Sequence, residues 1–204
     1  MLGKMLAVGG LVLMVGLLGC GGGGENAGTP VTAALKPIVV PTLPAKIPGH
    51  NELDPATGLH MTGTPVVIDL AGYRLKVSGK VYRELSLSYD ELRRLPKVTA
   101  TPTLVCSEAM FVVFADTATW SGVPLKTVLD MAGLAPDAKQ ITMKAADGYS
   151  DILTLVKALE SENFLAYEWM GQPLPVLHGF PLRAIVPHQN GFHWVKWLLE
   201  IVVE

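Results

Sequence analysis

The sequence contains Thr103-Leu104-Val105-Cys106-Ser107-Glu108 and, a short loop later, Trp120-Ser121-Gly122-Val123-Pro124-Leu125. Residues 98–105 are mostly apolar or β-branched, which predicts a strand that runs into Cys106. Ser107 and Glu108 break this pattern, so the thiol is predicted to lie at a junction between a strand and a loop. Such junctions often carry functional side chains, because a rigid element holds the loop in place.

The chain contains two cysteines, Cys20 and Cys106. If Cys20 carries lipid, as the residues before it predict, Cys20 and Cys106 cannot form an intramolecular disulfide. Residue type alone favours a buried apolar side chain at position 106. The alternative is a thiolate that binds a metal, because soft sulfur ligands bind transition metals well and the bound metal keeps the sulfur deprotonated. The predicted position at a strand end favours the metal-binding interpretation.

Apolar runs and alternating patterns predict further strands at residues 66–70, 73–81, 140–144, 164–169 and 196–203. Ser88 and Glu91 form a capping box, which predicts a helix that ends before Pro96. Pro124 is predicted to begin a second helix that Gly133 ends. Strands interspersed with short helices, without regular βαβ spacing, predict an α+β fold.

Five motifs occur in a fixed order along the chain: Leu104-Val105-Cys106, the segment 120–125, Asp147-Gly148-Tyr149, Leu165-Ala166-Tyr167-Glu168 and His178-Gly179-Phe180-Pro181-Leu182-Arg183. Together they resemble the molybdopterin-binding domain of the sulfite oxidase family, from about Met61 to the C-terminus. The resemblance implies a sulfite-oxidase-type fold of mixed sheets with short helices, an oxidoreductase activity and a molybdenum-molybdopterin cofactor.

The resemblance also assigns roles to individual residues. Cys106 falls on the cysteine that ligates molybdenum in the family, and is therefore the predicted catalytic and metal-binding residue. His178 and Arg183 fall on cofactor-contacting positions of the catalytic subunit of periplasmic methionine sulfoxide reductases, which has asparagine at the first position and arginine at the second. The remaining predicted cofactor-binding residues are His60, Thr62, Trp194, Val195 and Lys196.

Residues 178–197 are rich in glycine and proline, which predicts loops with exposed backbone amides, and Arg183 and Lys196 add positive charge. Backbone N–H groups with an arginine or a lysine are suited to bind the phosphate of a pyranopterin cofactor. An ordinary salt bridge is the alternative for Arg183. The family often has Lys-Tyr-Gly-Phe-Lys before these contacts. This chain has Gln189-Asn190-Gly191-Phe192-His193, so one lysine is lost and another is replaced by a titratable histidine.

The N-terminus predicts export and lipidation. Residues 1–19 combine Lys4 with an apolar run too short to span a bilayer, which is typical of a signal peptide. Leu17-Leu18-Gly19-Cys20 resembles the cleavage box of bacterial lipoproteins, which makes Cys20 the predicted lipidation site; a secretory signal without lipid is the alternative. Residues 20–65 are predicted to be a Gly/Pro-rich tether and extended arm, and residues 66–204 the molybdopterin-binding-like domain.

The predicted location is therefore the cell envelope, with a lipid anchor on the extracytoplasmic side of a membrane. No Arg-Arg pair precedes the apolar run, so export of folded protein by the twin-arginine route is not indicated. The chain has 204 residues, which is enough for one domain with a sizeable core. Its apolar content is 50% and its net charge is -2. No basic stripe is present that would favour nucleic acid as a partner.

Three functions fit these observations. The first is a molybdopterin-dependent oxidoreductase that transfers an oxygen atom to or from a small or sulfur-containing substrate, with a membrane or extracytoplasmic redox partner. The second is a cofactor-free lipoprotein that uses the same fold to bind a ligand or a protein. The third is a different metal site that combines Cys106 with His178, His188 or His193; the last two lie in a glycine-containing segment and lack the helical spacing of zinc proteases.

Overall fold

Twelve strands, three α-helices and two 3₁₀ turns make up the regular structure of the residues that a computed structural model describes, 35–108 and 111–204. The predicted signal peptide and Cys20 lie outside these residues. The strands are β1 (Leu75–Gly79), β2 (Leu85–Leu87), β3 (Val98–Ala100), β4 (Thr103–Glu108), β5 (Phe111–Thr117), β6 (Trp120–Pro124), β7 (Gln140–Ala145), β8 (Ser150–Thr154), β9 (Phe164–Trp169), β10 (Gln172–Pro173), β11 (Arg183–Ile185) and β12 (Leu198–Val203). The helices are α1 (Tyr89–Arg94), α2 (Leu125–Ala132) and α3 (Leu155–Ala158), and the 3₁₀ turns are Val176–His178 and Gly191–His193.

The strands form three sheets within the described part of the chain. One has the order β2-β1-β12-β7-β8, and a second has the order β10-β9-β6-β3 with β11 also paired to β9. The third is the β4-β5 hairpin alone. β1 and β12 pair in parallel, whereas the other strand pairs are antiparallel. This mixture of sheets and short helices is the α+β arrangement that the sequence predicts.

The main core lies on the inner faces of these sheets. Leu75 and Val77 of β1, and Ile201 and Val203 of β12, are completely buried at alternate positions, as the two-residue period of a strand requires. Gly122 of β6 allows this strand to approach β9 closely, because a Cβ atom there would lie 1.9 Å from the carbonyl oxygen of Leu165.

Local signals for the two longer helices are confirmed. The Ser88 hydroxyl accepts from the Glu91 N–H at 3.3 Å, and the Glu91 carboxylate accepts from the Ser88 N–H at 2.8 Å, which completes the capping box of α1. The second helix follows Pro124 and is capped by Gly133 at φ 69°, a conformation that glycine adopts without steric cost.

Two strand predictions are wrong. Residues 98–105 do not form one strand: β3 pairs with β6 and β4 pairs with β5, with Pro102 between them, since proline has no N–H to donate to a ladder. Cys106 consequently lies inside β4 and not at its end, beside a β-bulge between Cys106 and Ser107. Residues 66–70, predicted as a strand, have no regular structure.

The predicted arm contacts the domain at two places in its described part. Near residue 36, the guanidinium of Arg93 donates to the carbonyl oxygen of Lys36 at 2.7 Å, and Ile38 packs against the core. Further along, Leu59 and Met61 are buried. None of the helices in residues 35–108 and 111–204 is long and apolar enough to cross a membrane.

Candidate functional site

A cavity of about 420 Å³ collects side chains from distant parts of the chain. Cys106 and all seven residues predicted to bind the cofactor line it: His60, Thr62, His178, Arg183, Trp194, Val195 and Lys196. The lining also contains residues that the sequence did not single out for a site, among them His50, Val113, Phe114, Asp116, Trp120 and Phe192. The fold thus brings the predicted residues to one place.

The β4-β5 hairpin presents Cys106 to this cavity. Cys106 is partly buried and pairs across the hairpin with Phe114, and two residues further along β5 Asp116 pairs with Leu104. The bulge after Cys106 locally changes the ladder, as β-bulges often do where a strand carries a functional side chain.

Arg183 lies at the floor of the cavity on β11 and is only 6% exposed. Its guanidinium donates one hydrogen bond, from Nη1 to the carbonyl oxygen of His178 at 3.4 Å. It also lies over the rings of Trp120 and Trp194, 4.9 and 5.8 Å from their centroids. Burial lowers the pKa of Arg183 to about 10, so the side chain remains charged at neutral pH.

Lys196 is the second cation of the floor and is 8% exposed. Its ammonium group donates to the carbonyl oxygens of Thr62 and Leu177, the latter at 3.2 Å, and lies 4.7 Å from the centroid of the Trp197 ring. Burial and the nearby charge of Arg183 lower the pKa of Lys196 well below its usual value. The Thr62 contact to this cation is made by the backbone.

Neither Arg183 nor Lys196 forms a salt bridge with a carboxylate in residues 35–108 and 111–204. Asp116 and Asp147 act on them only at longer range. The Nε of Arg183 and the indole N–H of Trp194 are also buried, and the described part of the chain gives them no acceptor. Because buried charges and donors without partners are costly, the floor is suited to an anionic group with several acceptor oxygens.

His178 is 1% exposed and its Nε2 lies 3.0 Å from Asp54 Oδ2 and 2.9 Å from the Thr57 hydroxyl. Burial, with the charges of Arg183 and Lys196, lowers the pKa of His178 to about 4, so the ring is neutral at pH 7. Burial raises the pKa of Asp54, but hydrogen bonds from the Ala56 N–H, Thr57 and His178 outweigh it and lower the pKa overall. The histidine therefore ties residues 54–57 of the arm to the floor.

His60 is held at the cavity by Asp116. The two carboxylate oxygens of Asp116 lie 2.7 Å from the backbone nitrogen of His60 and 2.7 Å from its Nδ1. The imidazole stacks on Phe114 with ring centroids 4.4 Å apart and an interplanar angle of 12°. His60 thus joins the arm to the hairpin that carries Cys106.

The mouth of the cavity is apolar and exposed. Val113, Tyr149 and Phe192 line it with exposures of 44%, 43% and 50%. The Tyr149 hydroxyl donates to the carbonyl oxygen of Phe192 at 3.1 Å, and burial, then Asp151 and Asp147, raise the pKa of Tyr149, so it stays protonated at neutral pH.

The histidines proposed for a different metal site do not converge. His178 pairs with Asp54, His193 Nδ1 lies 2.6 Å from Asp151, and exposed His188 lies 3.2 Å from Glu162. Within the described residues, no group of three or more histidine, cysteine, aspartate and glutamate side chains is arranged to hold a metal ion. The geometry gives no support to the third hypothesis.

Residues 61–204 match the family described as the oxidoreductase molybdopterin binding domain. The chain belongs to this family. It is 33% identical to a putative protein-methionine-sulfoxide reductase subunit, YedZ1, of Azospira oryzae over 136 residues, 67% of this chain and 50% of that protein. It is 37% identical to mitochondrial sulfite oxidase of Mus musculus over 163 residues, 67% of this chain and 30% of that protein. The chain spans half or less of the length of these relatives.

The fold is also similar to a solved structure, the sulfane dehydrogenase SoxCD from Paracoccus pantotrophus. The TM-score is 0.63 at 21% sequence identity, with 86% of this chain and 57% of that chain covered. At this identity the similarity concerns the fold alone. Together with the family match, it confirms the predicted sulfite-oxidase-type molybdopterin-binding fold.

Membership in the family implies a molybdenum-molybdopterin cofactor, and the cavity fits such a group. Its floor offers two buried basic side chains for which the described residues supply no carboxylate partner, which suits a phosphate. The same cavity is lined by a thiol, which suits a soft metal ligand. Arg183 and Lys196 would hold the phosphate, and Cys106 would hold the metal.

Proposed function

We propose that this chain is an extracytoplasmic molybdopterin-dependent oxidoreductase, anchored to a membrane by lipid at Cys20, which transfers an oxygen atom at the sulfur of a small neutral sulfoxide. The observation that carries the proposal is the pair of buried cations, Arg183 and Lys196, at the floor of the cavity that Cys106 also lines. The family match and the lipoprotein-like Leu17-Leu18-Gly19-Cys20 sequence support it further.

Each group of residues has a separate task. Arg183 and Lys196 bind the phosphate, and the neutral ring of His178 fixes the arm against the floor. Cys106 supplies a thiolate ligand. His60, Thr62, Trp194 and Val195 shape the walls that orient the cofactor. The bound cofactor supplies two-electron oxygen-atom transfer, and the protein supplies position and electrostatics.

The chemistry of the cavity favours a sulfoxide over sulfite. Among the described lining residues, Arg183 is the one arginine and Lys196 the one lysine, and both are assigned to the phosphate. The remaining charged lining includes Asp116 and Asp147, which repel an anion. The apolar mouth suits the carbon substituents of a neutral sulfoxide. A related subunit bears the name of a putative methionine sulfoxide reductase.

Reduction of a sulfoxide to a thioether breaks the sulfur–oxygen bond, consumes two electrons and two protons, and releases water. The electrons therefore require an electron-donating redox partner. A lipid anchor at Cys20 would keep the domain near a partner in the same membrane, which raises their effective concentration. A membrane or extracytoplasmic electron donor is thus part of the proposal.

The first test is elemental analysis for molybdenum in protein purified from its native membrane, compared with a signal-less form made in the cytoplasm. We expect close to one molybdenum per chain in the native sample. Cys106→Ser should lose the metal and the sulfoxide reductase activity while it keeps the melting temperature of the cofactor-free protein. Unchanged metal content and activity in this variant would contradict the proposal.

A cofactor-free ligand-binding lipoprotein remains the second candidate, for one specific reason. The ammonium group of Lys196 already has two carbonyl acceptors, Thr62 and Leu177, and His193 stands where the family often has a lysine. The floor is therefore partly satisfied without a phosphate. Absence of molybdenum from both the native and the cytoplasmic samples would favour this second function.

A further inference from the structure

Asn190 contacts the Cys106 strand on both sides of the thiol. Its side-chain amide donates to the carbonyl oxygen of Ser107 at 2.9 Å and to the Ser107 hydroxyl at 2.7 Å. Its backbone forms an isolated parallel bridge with Val105. One residue therefore holds the neighbours of Cys106 in both directions, including the residue that follows the β-bulge.

The hairpin needs such support because it belongs to neither large sheet. In the described part of the chain, β4 forms a ladder with β5 only. On the β5 side, Asp116 binds His60 of the arm. On the β4 side, Asn190 is the corresponding connection, and the adjacent Gly191 allows a close approach, since a Cβ atom there would lie 2.9 Å from Leu104 Cδ2.

The segment that carries Asn190 is itself fastened to the domain. The His193 ring lies 2.6 Å from the Asp151 carboxylate, and the Gln189 side chain accepts from the Lys157 ammonium group at 2.7 Å. The Phe192 carbonyl accepts from the Tyr149 hydroxyl at 3.1 Å. Asn190 therefore projects from an anchored segment, which allows it to fix the hairpin and not merely to move with it.

We propose that Asn190 is a positioning residue that sets the place and orientation of the Cys106 thiolate in the cavity. The amide is suited to this task because its N–H₂ group reaches two acceptors of Ser107 at once. The function of this positioning, to present sulfur to a metal, rests on the function proposed above. The positioning itself does not require the cofactor.

The test measures the thiol directly in cofactor-free protein. The full chain carries Cys20→Ser, so that Cys106 is its single cysteine, and is produced in a host that cannot synthesise molybdopterin. The rate of alkylation by iodoacetamide is recorded from pH 6 to 10, which yields both the thiol pKa and the limiting rate of the thiolate. Thermal melting of each variant shows whether it is folded.

Asn190→Leu keeps the size of the side chain but cannot hydrogen-bond, and we expect its limiting alkylation rate to change roughly fivefold or more. Ser107→Ala removes one acceptor and keeps the other, so it should show a smaller change in the same direction. His188→Asn is the matched control, because His188 lies in the same segment but is exposed and pairs at the surface with Glu162. It should leave the thiol pKa and the rate unchanged.

Equal alkylation rates and thiol pKa values in the parent, Asn190→Leu and Ser107→Ala would overturn the proposal. Should Asn190→Leu fail to fold, the Ser107→Ala result decides alone. In molybdenum-loaded protein, Asn190→Leu should also shift the thiolate-to-molybdenum charge-transfer absorption, which a loss of general stability would not do. If no variant or parent ever binds molybdenum, the proposed function fails while the alkylation result still decides the role of Asn190.

Discussion

The floor and the mouth of the cavity differ in polarity and in solvent exposure. At the floor, the basic side chains of Arg183 and Lys196 are only 6% and 8% exposed, and the described residues give them no carboxylate partner. At the mouth, Val113, Tyr149 and Phe192 are apolar or neutral and between 43% and 50% exposed. The floor is therefore suited to an anion that stays bound, and the mouth to a neutral molecule that comes and goes.

This difference separates two roles that are easily confused in a positively charged pocket. A buried cation is costly to the folded protein unless a ligand compensates it, which indicates a resident group rather than a transient substrate. An exposed apolar surface binds weakly and adapts to several substituents.

The largest effect is expected from removal of both floor cations. In Arg183→Met with Lys196→Met, the dissociation constant for the cofactor should rise roughly a thousandfold, because two charge-assisted contacts to a phosphate are lost. The cofactor-free protein should be as stable as the parent or more stable, since apolar side chains replace buried basic groups that have no carboxylate partner among the described residues. Molybdenum content after dialysis and urea unfolding of the cofactor-free chain measure the two quantities.

Lys144→Met is the matched control for the double variant, because Lys144 is half exposed, pairs with Glu200 and is not one of the lining residues. It should retain molybdenum as the parent does. Full retention of molybdenum in the double variant would show that the floor cations do not bind the cofactor.

A smaller effect concerns the pH dependence of stability. The pKa of His178 is about 4 in the folded chain and near its ordinary value of 6.5 in the unfolded chain, so only the unfolded chain takes up this proton between these values. The free energy of unfolding should therefore fall by about 3 kcal/mol as the pH falls from 6.5 to 4. Urea unfolding across this range measures the slope.

His178→Asn should remove most of that slope, since asparagine does not titrate. His188→Asn is the control, because His188 is largely exposed and pairs at the surface with Glu162. It should leave the slope in place. An unchanged slope in His178→Asn would mean that other groups produce the acid sensitivity.

Sequence patterns predicted the elements that depend on neighbouring residues. The capping box at Ser88, the Gly133 end of α2 and the alternation of Ile201 and Val203 in β12 are local, and the structure has all three. The strand across residues 98–105 was wrong because the apolar pattern continued past Pro102, where the chain leaves one sheet for another. Strand β5 was missed, although Phe111-Val112-Val113-Phe114 is an apolar run typical of a strand.

The residues of the candidate site likewise fall into a set that the sequence predicts and a set that only the structure reveals. The resemblance to the family pointed to residues that the fold then brings to one cavity, such as Cys106 and Arg183. Asp116 and Asp54 were not predicted, because they act through His60 and His178 at separations of 56 and 124 residues. A lone aspartate in a sequence carries no sign of such a partner, so only the folded chain reveals it.

The smallest effect is expected at the mouth. Phe192→Ala removes an apolar ring of the mouth, and the KM for an aryl methyl sulfoxide should rise roughly tenfold with kcat nearly unchanged, as expected when binding is lost equally in the ground and transition states. Tyr82→Ala, at an exposed aromatic outside the cavity lining, should change neither constant.

Sulfite should remain a poor ligand in the parent, Phe192→Ala and Tyr82→Ala proteins, because the basic side chains at the floor are occupied by the cofactor. Competitive inhibition by sulfite in the parent at concentrations near the sulfoxide KM would instead place an available positive charge within reach of the substrate, and the contrast between floor and mouth would no longer explain the substrate preference.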